Sequence, residues 1–138
     1  MCYSTKSCKN NINILSFPMQ TPKVNLTLLH KLLQNNKETI RKALELFVET
    51  TIEDMKDLNE RIYQEKFFEA SRMAHTLKSR FVYLGNDDAF SLVKKLEVLL
   101  KDTTASTSKE IKILFNDLSK IVEFCLEEVK IEIQALRD

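Results

Sequence analysis

The sequence predicts an all-α protein, an antiparallel four-helix bundle preceded by a short additional N-terminal helix. Three observations carry this. Among 138 residues there are one glycine and two prolines, and both prolines lie ahead of residue 23, so none interrupts a helix beyond that point. Leu, Lys, Glu, Ile and Ala, which suit helices, dominate the remainder. Apolar residues recur at alternating steps of three and four along successive stretches, the period of one helical face.

Residues 1–22 read as a flexible N-terminal tail, polar apart from a patch at Ile12, Ile14, Leu15 and Phe17, and the helical unit occupies 23–138. A short helix is expected over about 25–34, capped by Asn25, with Leu26, Leu29, Leu32 and Leu33 on its apolar side. Asn35 or Asn36 breaks it, and Asn35 with Glu38 has the spacing of a capping box for the next helix.

That helix, about 37–61, carries Ile40, Leu44, Phe47, Thr51, Met55, Leu58 and Ile62 on one face, widened by Ala43, Val48 and Ile52. The third, about 65–84, places Phe67, Ala70, Ala74, Leu77, Phe81 and Leu84 inward and ends at Gly85, where a left-handed cap needs a glycine. Asn86 or Asp87 caps the fourth, about 87–101, with Phe90, Val93, Leu96, Leu99 and Leu100 inward. Residues 102–108 form a polar loop, and Thr107 with Glu110 repeats the capping-box spacing. The last helix, about 108–137, is seamed by Ile111, Leu114, Leu118, Ile121, Cys125, Val129, Ile133 and Leu136. Short connections between four such helices make an antiparallel bundle, with the first short helix covering one end.

Composition removes several function classes. The formal net charge is +1, with acids and bases interspersed, so no basic stripe marks a nucleic-acid binder. No apolar run approaches the ~18 residues of a membrane span, and the N-terminus does not read as a secretory signal. Cys2, Cys8 and Cys125 are odd in number and scattered, which suits neither a disulfide framework nor a zinc site. The cytoplasm is the expected compartment. His30 stands beside the leucines of the short helix and reads as structural or surface, too far from the second histidine to share a metal. Cys125 reads as a core thiol, and Lys94–Lys95 and Glu127–Glu128 as solvated helix faces.

His75 stands apart. At about 100° per residue, the inward stripe of the third helix points roughly 130° away from it. His75 therefore projects outward. Phe68, Ser71, Arg72, Lys78, Ser79 and Val82 share its face at offsets of three, four and seven. Apolar Phe68 and Val82 on a solvent side suggest a docking patch, and Ser79 is small enough to admit a partner's backbone. Free imidazole titrates near ~6.5, so a neutral nucleophilic nitrogen is available at neutral pH. Lys78 and Arg72 are placed to balance phosphoryl charge. The sequence holds no glycine-rich phosphate loop and no carboxylate-rich metal site, so those parts fall to a partner.

The segment Ala74-His75-Thr76-Leu77-Lys78-Ser79, followed by Tyr83-Leu84-Gly85, resembles the signature of histidine phosphotransfer (HPt) domains. That pattern reads roughly His-x-Leu-Lys-Gly with a further glycine ten positions after the histidine, and His75, Leu77, Lys78 and Gly85 fall in register. The likeness in layout covers about residues 24–136. One departure is Ser79 where the family usually has glycine.

The resemblance implies a phosphorelay intermediate, a carrier without independent catalytic machinery. His75 would accept a phosphoryl group from a receiver-domain phosphoaspartate and pass it to another receiver aspartate. Lys78 would stabilise transferred charge, and Phe68, Ser71, Arg72, Ser79 and Val82 would form the docking surface. Gly85 is structural. No cofactor is expected on this chain; Mg²⁺ would sit on the partner receiver. The implied partners are response-regulator receivers and a hybrid sensor kinase, with a monomer as the simplest state. The alternative is a helical interaction module that docks on a receiver or kinase domain without transferring phosphate. Such a module would need no histidine.

Overall fold

The structure, a computed structural model, describes residues 24–102 and 107–137. Among these residues there are five helices: α1 (Thr27–Leu32), α2 (Lys37–Tyr63), α3 (Phe67–Leu84), α4 (Asp87–Lys101) and α5 (Thr107–Arg137). Among the described residues there is no strand. The expected roles of the 1–22 tail, of Cys2 and Cys8, and of the Thr107 side chain as a cap lie outside the described residues.

The helix ends follow local chemistry. α1 stops at two successive left-handed residues, Gln34 (φ 55°) and Asn35 (φ 58°). Asn35 is thus spent on the turn. The cap of α2 passes to Asn36, whose Oδ1 accepts the Thr39 N–H at 2.9 Å. This corrects the capping box expected from Asn35 and Glu38. α2 closes with Glu65 in the left-handed region (φ 59°), where the Lys66 N–H reaches the Arg61 carbonyl at 2.8 Å. Asn86 opens α4 by accepting the Ala89 N–H at 2.9 Å.

Gly85 closes α3 as expected, at φ 65°, with the Asn86 N–H on the Phe81 carbonyl at 3.2 Å and its own N–H on Val82 at 3.1 Å. A second constraint acts on it. The chain ahead of α1 crosses here, and the Asn25 N–H donates to the Leu84 carbonyl at 2.9 Å. A methyl on Gly85 would overlap the Asn25 carbonyl oxygen and lie 2.7 Å from the Asn25 Cβ. Only glycine leaves room for this crossing. The Val24 N–H also reaches Glu128 Oε1 on α5 at 3.2 Å.

The four long helices form a ring of neighbours. α2 packs on α3 and α5, and α4 packs on α3 and α5, while α1 rests against α3. The core is filled by Ile40, Leu44 and Leu58 of α2, Ala74, Leu77 and Phe81 of α3, Val93, Leu96 and Leu100 of α4, and Ile111, Leu118, Ile121 and Val129 of α5. Each large aliphatic side chain so buried contributes roughly 1.5–3 kcal/mol. Arg80 of α3 pairs with Asp54 of α2 at 2.6 Å, and Arg137 of α5 with Glu45 of α2 at 2.6 Å. Thr51 is buried in α2 with its hydroxyl unpaired.

Some stripe assignments shift. Leu32 and Ile52 are exposed. Leu32 is at the end of a helix too short to press its whole apolar side on the bundle. Ile52 lies about 100° around α2 from the buried Thr51, beyond the arc that α3 and α5 cover. In α4, Phe90 and Leu99 are half-buried flanks, and Leu92 takes a core place.

Candidate functional site

His75 lies midway along α3, and its side chain is 65% exposed. The outward direction read from the helical period holds. The ring is not free, however. Its Nδ1 lies 3.0 Å from Oε2 of Glu97 on α4. Glu97 is buried, with 7% of its side chain exposed. Lys78, one turn after His75, donates from Nζ to the other oxygen, Oε1, at 2.8 Å. Lys101, one turn after Glu97, brings its Nζ to 3.2 Å from Oε2. One carboxylate therefore receives three donors from two helices.

Burial pushes the Glu97 carboxyl toward its neutral form. Hydrogen bonds from Lys78, Lys101 and His75 outweigh that and hold it at about 2. The group is a carboxylate at neutral pH and only accepts hydrogen bonds. The hydrogen between it and His75 thus belongs to Nδ1, which fixes the tautomer of the neutral ring as the one with its lone pair on Nε2. The ring is held by its inner nitrogen and presents its outer one.

The same wheel explains what α4 covers. Relative to His75, Ser71 and Lys78 fall about 40° and 60° to one side, and Phe68, Arg72 and Ser79 to the other. α4 lies against the first side. Lys78 is accordingly only 23% exposed and reaches Glu97. Ser71 is 2% exposed, with its hydroxyl donating to the Phe68 carbonyl at 2.7 Å. Ser71 is therefore recessed from the outer strip in which the sequence places it, and reaches the outside only in the wall of the groove beside the ring. Phe68, at 73% exposure, stands out with Arg72, Ser79 and Val82. Beside the ring, between α3 and α4, runs an open groove of about 770 Å³, lined by Phe67, Phe68, Arg72, Thr76, Leu100 and Lys101.

Glu97 and Lys101 were not among the residues expected from sequence. A signal for Glu97 exists: α4 buries Ala89, Leu92, Val93, Leu96 and Leu100, and Glu97 falls inside that arc, four after Val93 and three before Leu100. An acid within an apolar stripe calls for cationic partners. Lys101 then follows at the i,i+4 spacing of a helical ion pair.

Other candidates are quiet. His30 is half-buried in α1 beside Lys31 and Asn35. Cys125 is buried in the core, and burial pushes its thiol up to about 11. Among the described residues no group of three or more His, Cys, Asp or Glu is placed to hold a metal ion, and no helix is long and apolar enough to cross a membrane.

The family model of the Hpt domain matches residues 42–138, a span that contains His75, Lys78, Gly85, Glu97 and Lys101. No curated protein and no solved structure matches the chain.

Proposed function

Because the chain belongs to the Hpt domain family, we propose that it is a phosphorelay intermediate, accepting a phosphoryl group on Nε2 of His75 from a receiver phosphoaspartate and passing it to the aspartate of another receiver. The observation that carries this reading is the exposed ring held through Nδ1 by the buried Glu97 carboxylate at 3.0 Å.

In the forward step the Nε2 lone pair attacks phosphorus. The bond to the aspartyl oxygen breaks, and its electron pair returns to the receiver's carboxylate. The imidazole gains positive charge as the new N–P bond forms, and the Glu97 carboxylate lies on the opposite side of the ring to balance it. Lys78, fixed on Oε1, keeps that carboxylate in place. Return transfer runs the same path backwards, with Nε2 as the leaving group. The bundle contributes position and charge rather than a proton relay. Phe68, Arg72, Ser79 and Val82 form the rim that a receiver meets, and Ser79 in place of glycine narrows it slightly. Mg²⁺ and the acidic pocket around the aspartate belong to the receiver. The chain acts as a cytoplasmic monomer, serving receivers and a hybrid sensor kinase.

The test is to mix the chain with a receiver carrying labelled phosphoaspartate and follow the label. Acid-labile, base-stable label on the wild type and none on His75→Gln, with helicity unchanged, is the expected result. Equal labelling of the two defeats the assignment.

A further inference from the structure

Phosphorylation brings about 1.5–2 negative charges to a ring that already faces the Glu97 carboxylate. A cation must move toward the new group, and the two lysines on Glu97 are not equivalent in what their release would cost. Among the described residues Lys78 is the only partner of Oε1, at 2.8 Å, and only 23% of its side chain is exposed. Withdrawing it would strip a buried carboxylate oxygen of its partner, which is expensive. Lys101 shares Oε2 with His75 Nδ1, at 3.2 Å against 3.0 Å. If Lys101 leaves, Oε2 still holds the imidazole N–H. Its side chain is 63% exposed and is on the lip of the groove beside the ring. Because both hydrogen bonds meet at one oxygen, the ammonium already lies within their combined length of Nδ1.

We infer that Lys101 is the exchangeable cation of the site. It releases Glu97 and turns to the phosphoryl oxygens as the N–P bond forms, while Lys78 stays on Glu97 as a positioning residue. This rests on His75 being the phosphoryl acceptor and divides the charge work between two residues. Lys101 touches the transferred group; Lys78 acts only through Glu97.

Phosphoramidate tests this on the full chain without a receiver. The Nε2 lone pair attacks phosphorus, the P–N bond of the donor breaks, and its nitrogen leaves with its three hydrogens as ammonia. Initial loading rates are compared for the wild type, Lys101→Ala, Lys101→Arg and Lys78→Ala, each with Glu97 intact and with Glu97→Gln, circular dichroism confirming the fold of each. Lys101→Ala should slow loading roughly three- to tenfold in both backgrounds, the order expected of one half-exposed charge. Lys101→Arg should recover the rate to within about twofold. Lys78→Ala should slow loading only where Glu97 is present, because two residues acting through one another are not additive.

A Lys101→Ala effect that vanishes in Glu97→Gln would make Lys101 a support of the carboxylate and overturn the inference, as would no effect at all. Either result leaves the acceptor assignment standing if the wild type loads and His75→Gln does not. A wild type that takes no label at His75 removes the acceptor assignment and this inference together.

Discussion

His75 Nδ1 and Glu97 Oε2 stand 3.0 Å apart, joining a solvent-facing ring on α3 to a covered carboxylate on α4. The contact spans 22 residues of sequence and crosses the seam between two consecutive helices. Replacing Glu97 with Gln keeps the shape and removes the charge. A hydrogen bond to a charged group is worth about 1.5–3 kcal/mol, so phosphoryl uptake from a receiver should fall about ten- to hundredfold. Quench-flow transfer rates for the two proteins check this, with circular dichroism to establish that the bundle is intact.

The same carboxylate makes stability depend on acid. Its folded value, about 2, lies below the 4.5 of the free group. A depressed carboxyl stabilises the fold above its unfolded value, and that contribution is lost as pH falls through the folded value. Unfolding free energy should therefore decline between about pH 5 and pH 2. Glu45, lowered by its hydrogen bond from Arg137, adds to the decline in the same direction. Urea titrations across this range should show a shallower slope for Glu97→Gln than for the wild type.

Gly85→Ala should destabilise the protein by about 2–4 kcal/mol. A left-handed backbone costs a non-glycine residue about 1–2 kcal/mol, and the methyl's overlap with the Asn25 backbone adds an overpacking term of similar size. Denaturant midpoints measure it. A change below 1 kcal/mol, within the range of an ordinary surface substitution, would show that the Asn25 crossing yields easily.

Thr51→Val should stabilise by about 1 kcal/mol, because it keeps the side-chain shape and removes a buried, unpaired hydroxyl. Thermal unfolding reads the change, with α2 helicity unaltered.

Much of this arrangement is legible in the sequence because it is periodic. The inward faces of α3 and α5, the outward aim of His75 and the left-handed end at Gly85 all follow from spacing and residue type along one helix. What escapes is whatever depends on how neighbouring helices are turned. Ser71 and Lys78 lie on the outer half of α3 by angle alone, yet α4 leans over that side, burying one and drawing the other to Glu97. Leu32 and Ile52 fail in the opposite sense, apolar residues that no neighbour covers. Asn35 and Asn36 are equivalent caps on paper. The turn that ends α1 takes the first, leaving the second for α2.

The ring and its attendants, from Phe68 to Lys101, all belong to the α3–α4 hairpin, whereas α2 and α5 meet that hairpin from behind. The chemistry and the buttress are thus physically separable. A protein engineer has the solvent sides of two long helices open for wholesale rewriting, for solubility tags, labels or altered surface charge, without approaching the imidazole.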